Sequence, residues 1–260
     1  MGNHTDHHHA QPSDTVDIIE ELKRKVTLKD EELEQFIYTA SHDLKSPLVA
    51  ISGYVAQLKR DIDKGRFDRL PELASWISEV VQGMNHNIND LVELSRIGRI
   101  TTPAEQMDIA GLALEIIGFQ RQRIEAGGIK IEIEDSIPKI SGDPVRIRQM
   151  LQILIKNAIH FGCDSEQPRI SISGERQAET IMIRIEDNGR GIDPKYHQRI
   201  FELFQRLDPS TGGTGIGLTL ARKIAEVHHG TIHVESTPGD GANFVISWPV
   251  PQHATIAALP

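Results

Sequence analysis

The stretch "FIYTASHDLKSPLVAISGY", Phe36 to Tyr54, sets His42 and Asp43 side by side in an otherwise amphipathic helical pattern, and puts Pro47 one turn beyond them. A proline inside a helix removes the hydrogen bond to the carbonyl four residues back, here that of Asp43, and loosens the axis there. A histidine beside an acid on a helix is ordinarily solvated surface. The proline is what singles this pair out.

Working outward, the helical period holds from about Val16 to Arg99. Ile18, Leu22, Val26, Leu33, Phe36 and Ile37 form a stripe at spacings of three and four, with charges on the other face. The period breaks at "DIDKGRFDRLPE", Asp61 to Glu72, where a glycine, charges and Pro71 cluster. It resumes through Leu73, Ile77, Val80, Val81, Met84, Ile88, Leu91, Leu94 and Ile97. This is an antiparallel helical hairpin. Two helices alone leave apolar surface uncovered, so the expectation is a homodimer closing a four-helix bundle. "GRITTPAEQ", Gly98 to Gln106, reads as a linker.

Beyond the linker the pattern is mixed. Helices are expected at about 108–126, 144–161, 194–204 and 215–229, and strands at 129–134, 169–175, 180–186, 230–236 and 243–248. Strands such as "KIEIE" and "RISISG" alternate apolar and polar residues, so only one face is covered. The fold class is therefore α plus α/β: a hairpin, then an α/β sandwich with helices on one side of a mixed sheet.

Composition narrows the setting. A net charge of -9 argues against a nucleic-acid partner, since phosphate contacts need clustered Lys and Arg. A lone cysteine, Cys163, forms no internal disulfide and suits a reducing, cytoplasmic compartment. No apolar run reaches the length of a membrane span, and residues 1–15 read as a disordered leader.

Two glycine-bearing strings lie in the second region. "EDNGRGID" (Glu186 to Asp193) follows a strand, and "GGTGIGLTLARKIAEVHHG" (Gly212 to Gly230) opens a helix. Glycines before a helix let the backbone approach a ligand, and the exposed amides and dipole favour phosphate. Gly213, Gly215 and Gly217 are spaced G-x-G-x-G, which matches neither a dinucleotide fingerprint nor a P-loop.

Read in order, "SHDLKSPL", "DPVRIRQMLQILIKNAIHF", "DNGRGID", "IFELFQRL" and "GGTGIGLTLA" resemble the H, N, G1, F and G2 boxes of sensor histidine kinases, especially those with a phytochrome-like H box. The resemblance implies a dimerisation and histidine-phosphotransfer hairpin at 32–102, a GHKL-type ATP-binding domain of Bergerat fold at 103–250, a coiled-coil signalling connector at 16–31 and a tail at 251–260. It implies an autophosphorylating protein histidine kinase that uses ATP and Mg²⁺ and passes phosphate to a response regulator receiver domain. His42 would be the phosphoacceptor, Asp43 its acid–base neighbour and Asn157 the Mg²⁺ ligand. Asp187 would read the adenine amino group above a turn shaped by Gly189 and Gly191. Gly213, Thr214, Gly215, Ile216, Gly217 and Leu218 would cradle phosphates.

The chain also departs from that pattern. Ile153 stands where an earlier asparagine is usual, and His160 where a lysine commonly contacts phosphate, which leaves Arg206 as the compensating cation. Ser46 holds the position that supports phosphatase activity in the family. Ile153 and His160 sustain an alternative, a catalytically weak phosphotransfer or dimerisation scaffold with a degenerate ATP site. A third reading, an ATPase that works by conformational closure, is opposed by the H box and the hairpin.

Overall fold

The computed structural model describes residues 12–98, 102–162, 165–208 and 213–250. The expected leader up to residue 11, Cys163 and the expected tail lie outside the described residues. Helix α1 (Pro12–Asp63) begins within the stretch expected as leader, and runs unbroken through Pro47. Helix α2 (Leu70–Arg96) returns antiparallel, with Tyr54 of α1 against Trp76 of α2 at 5.5 Å between ring centroids.

The turn between them is built around a buried acid. Both carboxylate oxygens of Asp61 accept from Gln57 Nε2 at 3.0 Å, Arg66 pairs with the same carboxylate, and the Arg66 N–H donates to the Asp61 carbonyl at 2.8 Å. Hydrogen bonding from Gln57, with the Arg66 charge, holds the carboxyl below its usual range despite burial. Gly65 takes the left-handed conformation the turn requires, φ 68°.

The second region begins with β1 (Glu105–Met107), overlapping the end of the expected linker, paired antiparallel with β3 (Ile140–Gly142). Strands this short give too few residues for alternation to register. The helix expected at 108–126 is divided into α3 (Ile109–Phe119) and α4 (Arg121–Gly127). The division falls at Gln120, just after Gly118, a weak helix former. The helix expected at 194–204 is instead a pair of 3₁₀ turns, Pro194–Tyr196 and Arg199–Phe201. The chain leaves them through Phe204 at φ 59°, a left-handed conformation that no helix accommodates.

Strands β2 (Lys130–Ile133), β4 (Arg169–Gln177), β5 (Thr180–Asp187), β6 (Thr231–Ser236) and β7 (Ala242–Pro249) form one sheet in the order β2-β4-β5-β7-β6. Only the β2–β4 pair is parallel, Ile131 facing Ile170; elsewhere Ile172 faces Ile185 and Ile183 faces Ile246 across antiparallel pairs. Ile170, Ile172, Ile183, Ile185, Ile246 and Trp248 bury one face under α3, α5 (Pro144–Phe161) and α6 (Gly217–Val227). Residues between them, such as Glu175 and Arg184, stay in solvent and pair at 2.8 Å. The expected sandwich of a mixed sheet with helices on one side is what forms.

A polar knot ties the linker to this core. Asp143 caps α5 by accepting from the N–H groups of Val145 and Arg146, and also accepts from Thr102 N–H at 3.0 Å. The backbone N–H of Asp143 donates to His228 Nε2, at the end of α6, while His228 Nδ1 donates to the Ile224 carbonyl. Helix α2 reaches the same domain: Leu91, Leu94 and Ile97 pack against its core, and Glu93 pairs with Arg146 at 2.7 Å. No helix among the described residues is long and apolar enough to cross a membrane.

Candidate functional site

One stripe of α5 opens the site. Ile153, Lys156, Asn157 and Phe161 line one wall of a cavity of about 290 Å³. The end of β5 and the turn after it supply Asp187, Arg190 and Gly191; the segment after the 3₁₀ turns supplies Gln205, Arg206 and Asp208; Gly213, Thr214, Gly215, Gly217 and Leu218 close the far side. Asn157, Asp187, Arg206 and most of the glycine string therefore converge from elements far apart in sequence.

Asp187 is the charged group at the base, only 4% exposed. It accepts the Gly189 N–H at 3.0 Å and the Ala242 N–H, yet burial outweighs these bonds and pushes its carboxyl up to about 6. Gly189 and Gly191 serve packing more than ligand approach. A Cβ on Gly189 would lie 2.0 Å from the Phe161 carbonyl oxygen, and one on Gly191 2.0 Å from that of Thr237, so a side chain would drive the turn away from the end of α5 in the first case and from the segment after β6 in the second. Gly191 borders the cavity and Gly189 lies behind it.

The glycine string is arranged for an anion. Helix α6 starts at Gly217 beside the cavity, and the N–H groups of its first turn have no intrahelical acceptor. Ile216 is fully buried and its side chain does not line the cavity. Ile153, the departure from the family pattern, lines the wall against Gly217, where an added Cβ would stand 3.3 Å from its Cγ2.

His160 is not among the residues lining the cavity; its Nδ1 meets Arg123 NH2 at 2.6 Å on the outer side of α5. The cations that do line it are Lys156, Arg190 and Arg206. Lys156 adjoins Asn157 in the sequence and Arg190 sits within "DNGRGID", so position within the motifs was the available signal for both. Arg190 also lies over the Phe161 ring at 4.7 Å and pairs with Asp208 at 3.2 Å. Phe201 is buried in the core and does not line the cavity.

On the hairpin, His42 and Asp43 meet as neighbours. Nδ1 of His42 lies 2.8 Å from Asp43 Oδ1, with the imidazole 71% exposed and the carboxylate 32%. A carboxylate on Nδ1 makes that nitrogen the proton-bearing one and leaves the Nε2 lone pair toward solvent. Ser46, one turn on, is exposed.

The cavity's chemistry fits a purine nucleoside triphosphate: a buried acceptor at the base, glycine-lined close approach, a helix N-terminus and cations at the mouth. Asn157 supplies a hard amide oxygen on the wall, suited to Mg²⁺ shared with phosphates and water.

Known proteins agree with this assembly. Residues 32–100 match the family described as His Kinase A (phospho-acceptor) domain, and residues 142–252 match Histidine kinase-, DNA gyrase B-, and HSP90-like ATPase. The methanogenesis regulatory histidine kinase FilI of Methanothrix harundinacea is 34% identical over 233 residues, covering 90% of this chain and 26% of that protein. Phytochrome-like protein Cph1 of Synechocystis is 34% identical over 232 residues, covering 88% of this chain and 31% of Cph1. The chain thus spans about a quarter to a third of the length of these relatives. Among solved structures, full-length ShkA in complex with AMPPNP superposes with a TM-score of 0.56 at 26% identity, over 68% of this chain and 39% of that one.

Proposed function

Because this chain belongs to the sensor histidine kinases and carries their phosphoacceptor and ATP-binding domains in order, we propose that it transfers the γ-phosphoryl group of ATP to His42 and thence to an aspartate of a response regulator receiver domain. The observation that carries this reading is the His42–Asp43 bond at 2.8 Å on an exposed imidazole. With its proton on Nδ1 against Asp43, neutral His42 directs the Nε2 lone pair at phosphorus. The N–P bond forms as the bond to the bridging oxygen breaks, its electron pair leaving on ADP. Asp43 offsets the positive charge that develops on the ring and can take the Nδ1 proton.

In the cavity, Asp187 as carboxylate accepts from the adenine amino group, and the α6 N-terminus with Lys156, Arg190 and Arg206 offsets phosphate charge. Bound Mg²⁺, held by Asn157 and the phosphates, would supply charge neutralisation along the triphosphate. Lys156, Arg190 and Arg206 lining the cavity weigh against the degenerate-scaffold alternative, since they supply the positive charge that the family's lysine would give at position 160. The AMPPNP bound to the related ShkA supports the same ligand class.

We further infer a homodimer. Val49, 63% exposed, and Val81, 41% exposed, belong with Leu48, Val55, Ile88 and Val92 to apolar hairpin surface that a second hairpin would cover. Ser46, exposed one turn beyond the phosphoacceptor, is our candidate to hold a water for dephosphorylation.

The test is radiolabelled ATP followed by acid and base treatment. Wild type is expected to carry acid-labile, base-stable label, and His42→Gln none while retaining nucleotide affinity. Equal labelling of the variant would move the acceptor elsewhere. Asn157→Asp is expected to remove the label with His42 still in place, through the metal site; normal turnover in Mg²⁺ would exclude Asn157 from that role.

A further inference from the structure

Among the described residues, the hairpin reaches the rim of the nucleotide cavity through a hydrogen bond made by a side chain whose charge opposes an anion. Thr214, which lines the cavity, donates its hydroxyl to Asp90 Oδ2 of α2 at 2.6 Å and accepts the Ile216 N–H at 3.3 Å. An amide at the foot of α6, where phosphate would bind, is thereby turned to an internal acceptor, and a carboxylate is placed at the edge of the same site.

The contact is held from both sides. Glu93 pairs with Arg146 three residues further along α2, and Leu91, Leu94 and Ile97 pack on the catalytic core. Its position on the hairpin also matters. With Tyr54 against Trp76, moving the same number of residues back along α1 and forward along α2 sets His42 level with Ile88, half a turn from Asp90. The phosphate loop is therefore tied to α2 close to the height of the phosphoacceptor.

We propose that Asp90 is a specificity-determining residue of the nucleotide site: it holds Thr214 and opposes a triphosphate, so that ATP binding and docking of α2 on the phosphate loop antagonise each other. The inference rests on the ATP reading above. By linkage, whatever strengthens the α2 contact weakens ATP binding by the same factor, and ATP in turn loosens α2. The polyphosphate with more charge near the loop feels Asp90 more, so ATP and ADP are affected unequally.

Calorimetric titration of the whole chain with AMPPNP and with ADP, at low and at high salt, tests this without requiring turnover. Asp90→Ala is expected to tighten AMPPNP about tenfold and ADP about twofold at low salt, with Asp90→Asn, which keeps an acceptor but no charge, in between. High salt should shrink the difference. Unchanged or weakened AMPPNP affinity in Asp90→Ala overturns the proposal, as does an equal gain for both nucleotides. If neither wild type nor any variant binds nucleotide, the ATP reading falls and this inference with it; if wild type binds and Asp90→Ala binds equally, only this inference falls.

Discussion

The hairpin and the sheet domain use hydrophobic residues in opposite ways. In α1 and α2, among the described residues, only Ala40 and Leu73 are buried apolar side chains, while Val49, Val55, Val81, Ile88 and Val92 face solvent. The sheet domain buries Ile147, Met150, Leu151, Leu154, Ile155, Ile183 and Ile246 completely. The sheet domain closes its own core; the hairpin leaves apolar surface exposed, the surface on which the proposed homodimer rests. The chemistry follows the same division. The cavity is walled by side chains from several elements of the sheet domain, whereas His42 stands open to whatever approaches it.

Substitution should break the two regions differently. Leu154→Ala, in the closed core, is expected to cost about 2–5 kcal/mol, read as a fall in denaturant midpoint. Val81→Ala should cost the monomer under about 1 kcal/mol, while Val81→Lys should shift the species seen by light scattering from dimer to monomer and leave sheet-domain unfolding unchanged. A hairpin substitution as damaging to the fold as Leu154→Ala would erase the contrast.

Asp187 sharpens it, because it is the place where the closed domain gives up stability for its site. Its folded value is raised from 3.8 to about 6, so between those pH values the folded chain keeps a proton that the unfolded chain has released. Stability therefore falls as pH rises through that window, and the full loss, about 3 kcal/mol, is present above pH 6. Asp187→Asn should raise the midpoint at pH 7.5, converge with wild type near pH 4, and lose adenine nucleotide binding. Wild-type affinity should itself decline as pH drops through about 6, because a protonated Asp187 loses its charge and accepts more weakly from adenine. A variant destabilised at pH 7.5 would contradict the burial argument.

The smallest effect belongs to His160. Since its ring meets Arg123 and does not border the cavity, His160→Lys is expected to change nucleotide affinity less than about twofold and to lower stability slightly by placing like charges together. A large gain in affinity would return His160 to the phosphate site.

Much of this was written locally. The apolar period around His42, the break near Gly65, the alternation of β4 and β5 and the order of the motif strings each depend on residues close in sequence, and the sequence by itself determined the hairpin, the sandwich and the family. Local patterns failed where neighbours in space decide conformation. The 3₁₀ turns replace a helix because Phe204 must pass against the backbone of Gly215, where a Cβ would meet it at 2.6 Å. Tertiary structure decided which of two α5 side chains borders the cavity, since Lys156 and His160 share a helix and differ in what packs beside them. It alone raised Asp187, through burial that no flanking residue foretells. And it alone joined Asp90 to Thr214, residues 124 apart in sequence, because a hydrogen bond at that separation exists only after α2 has docked on the domain it follows.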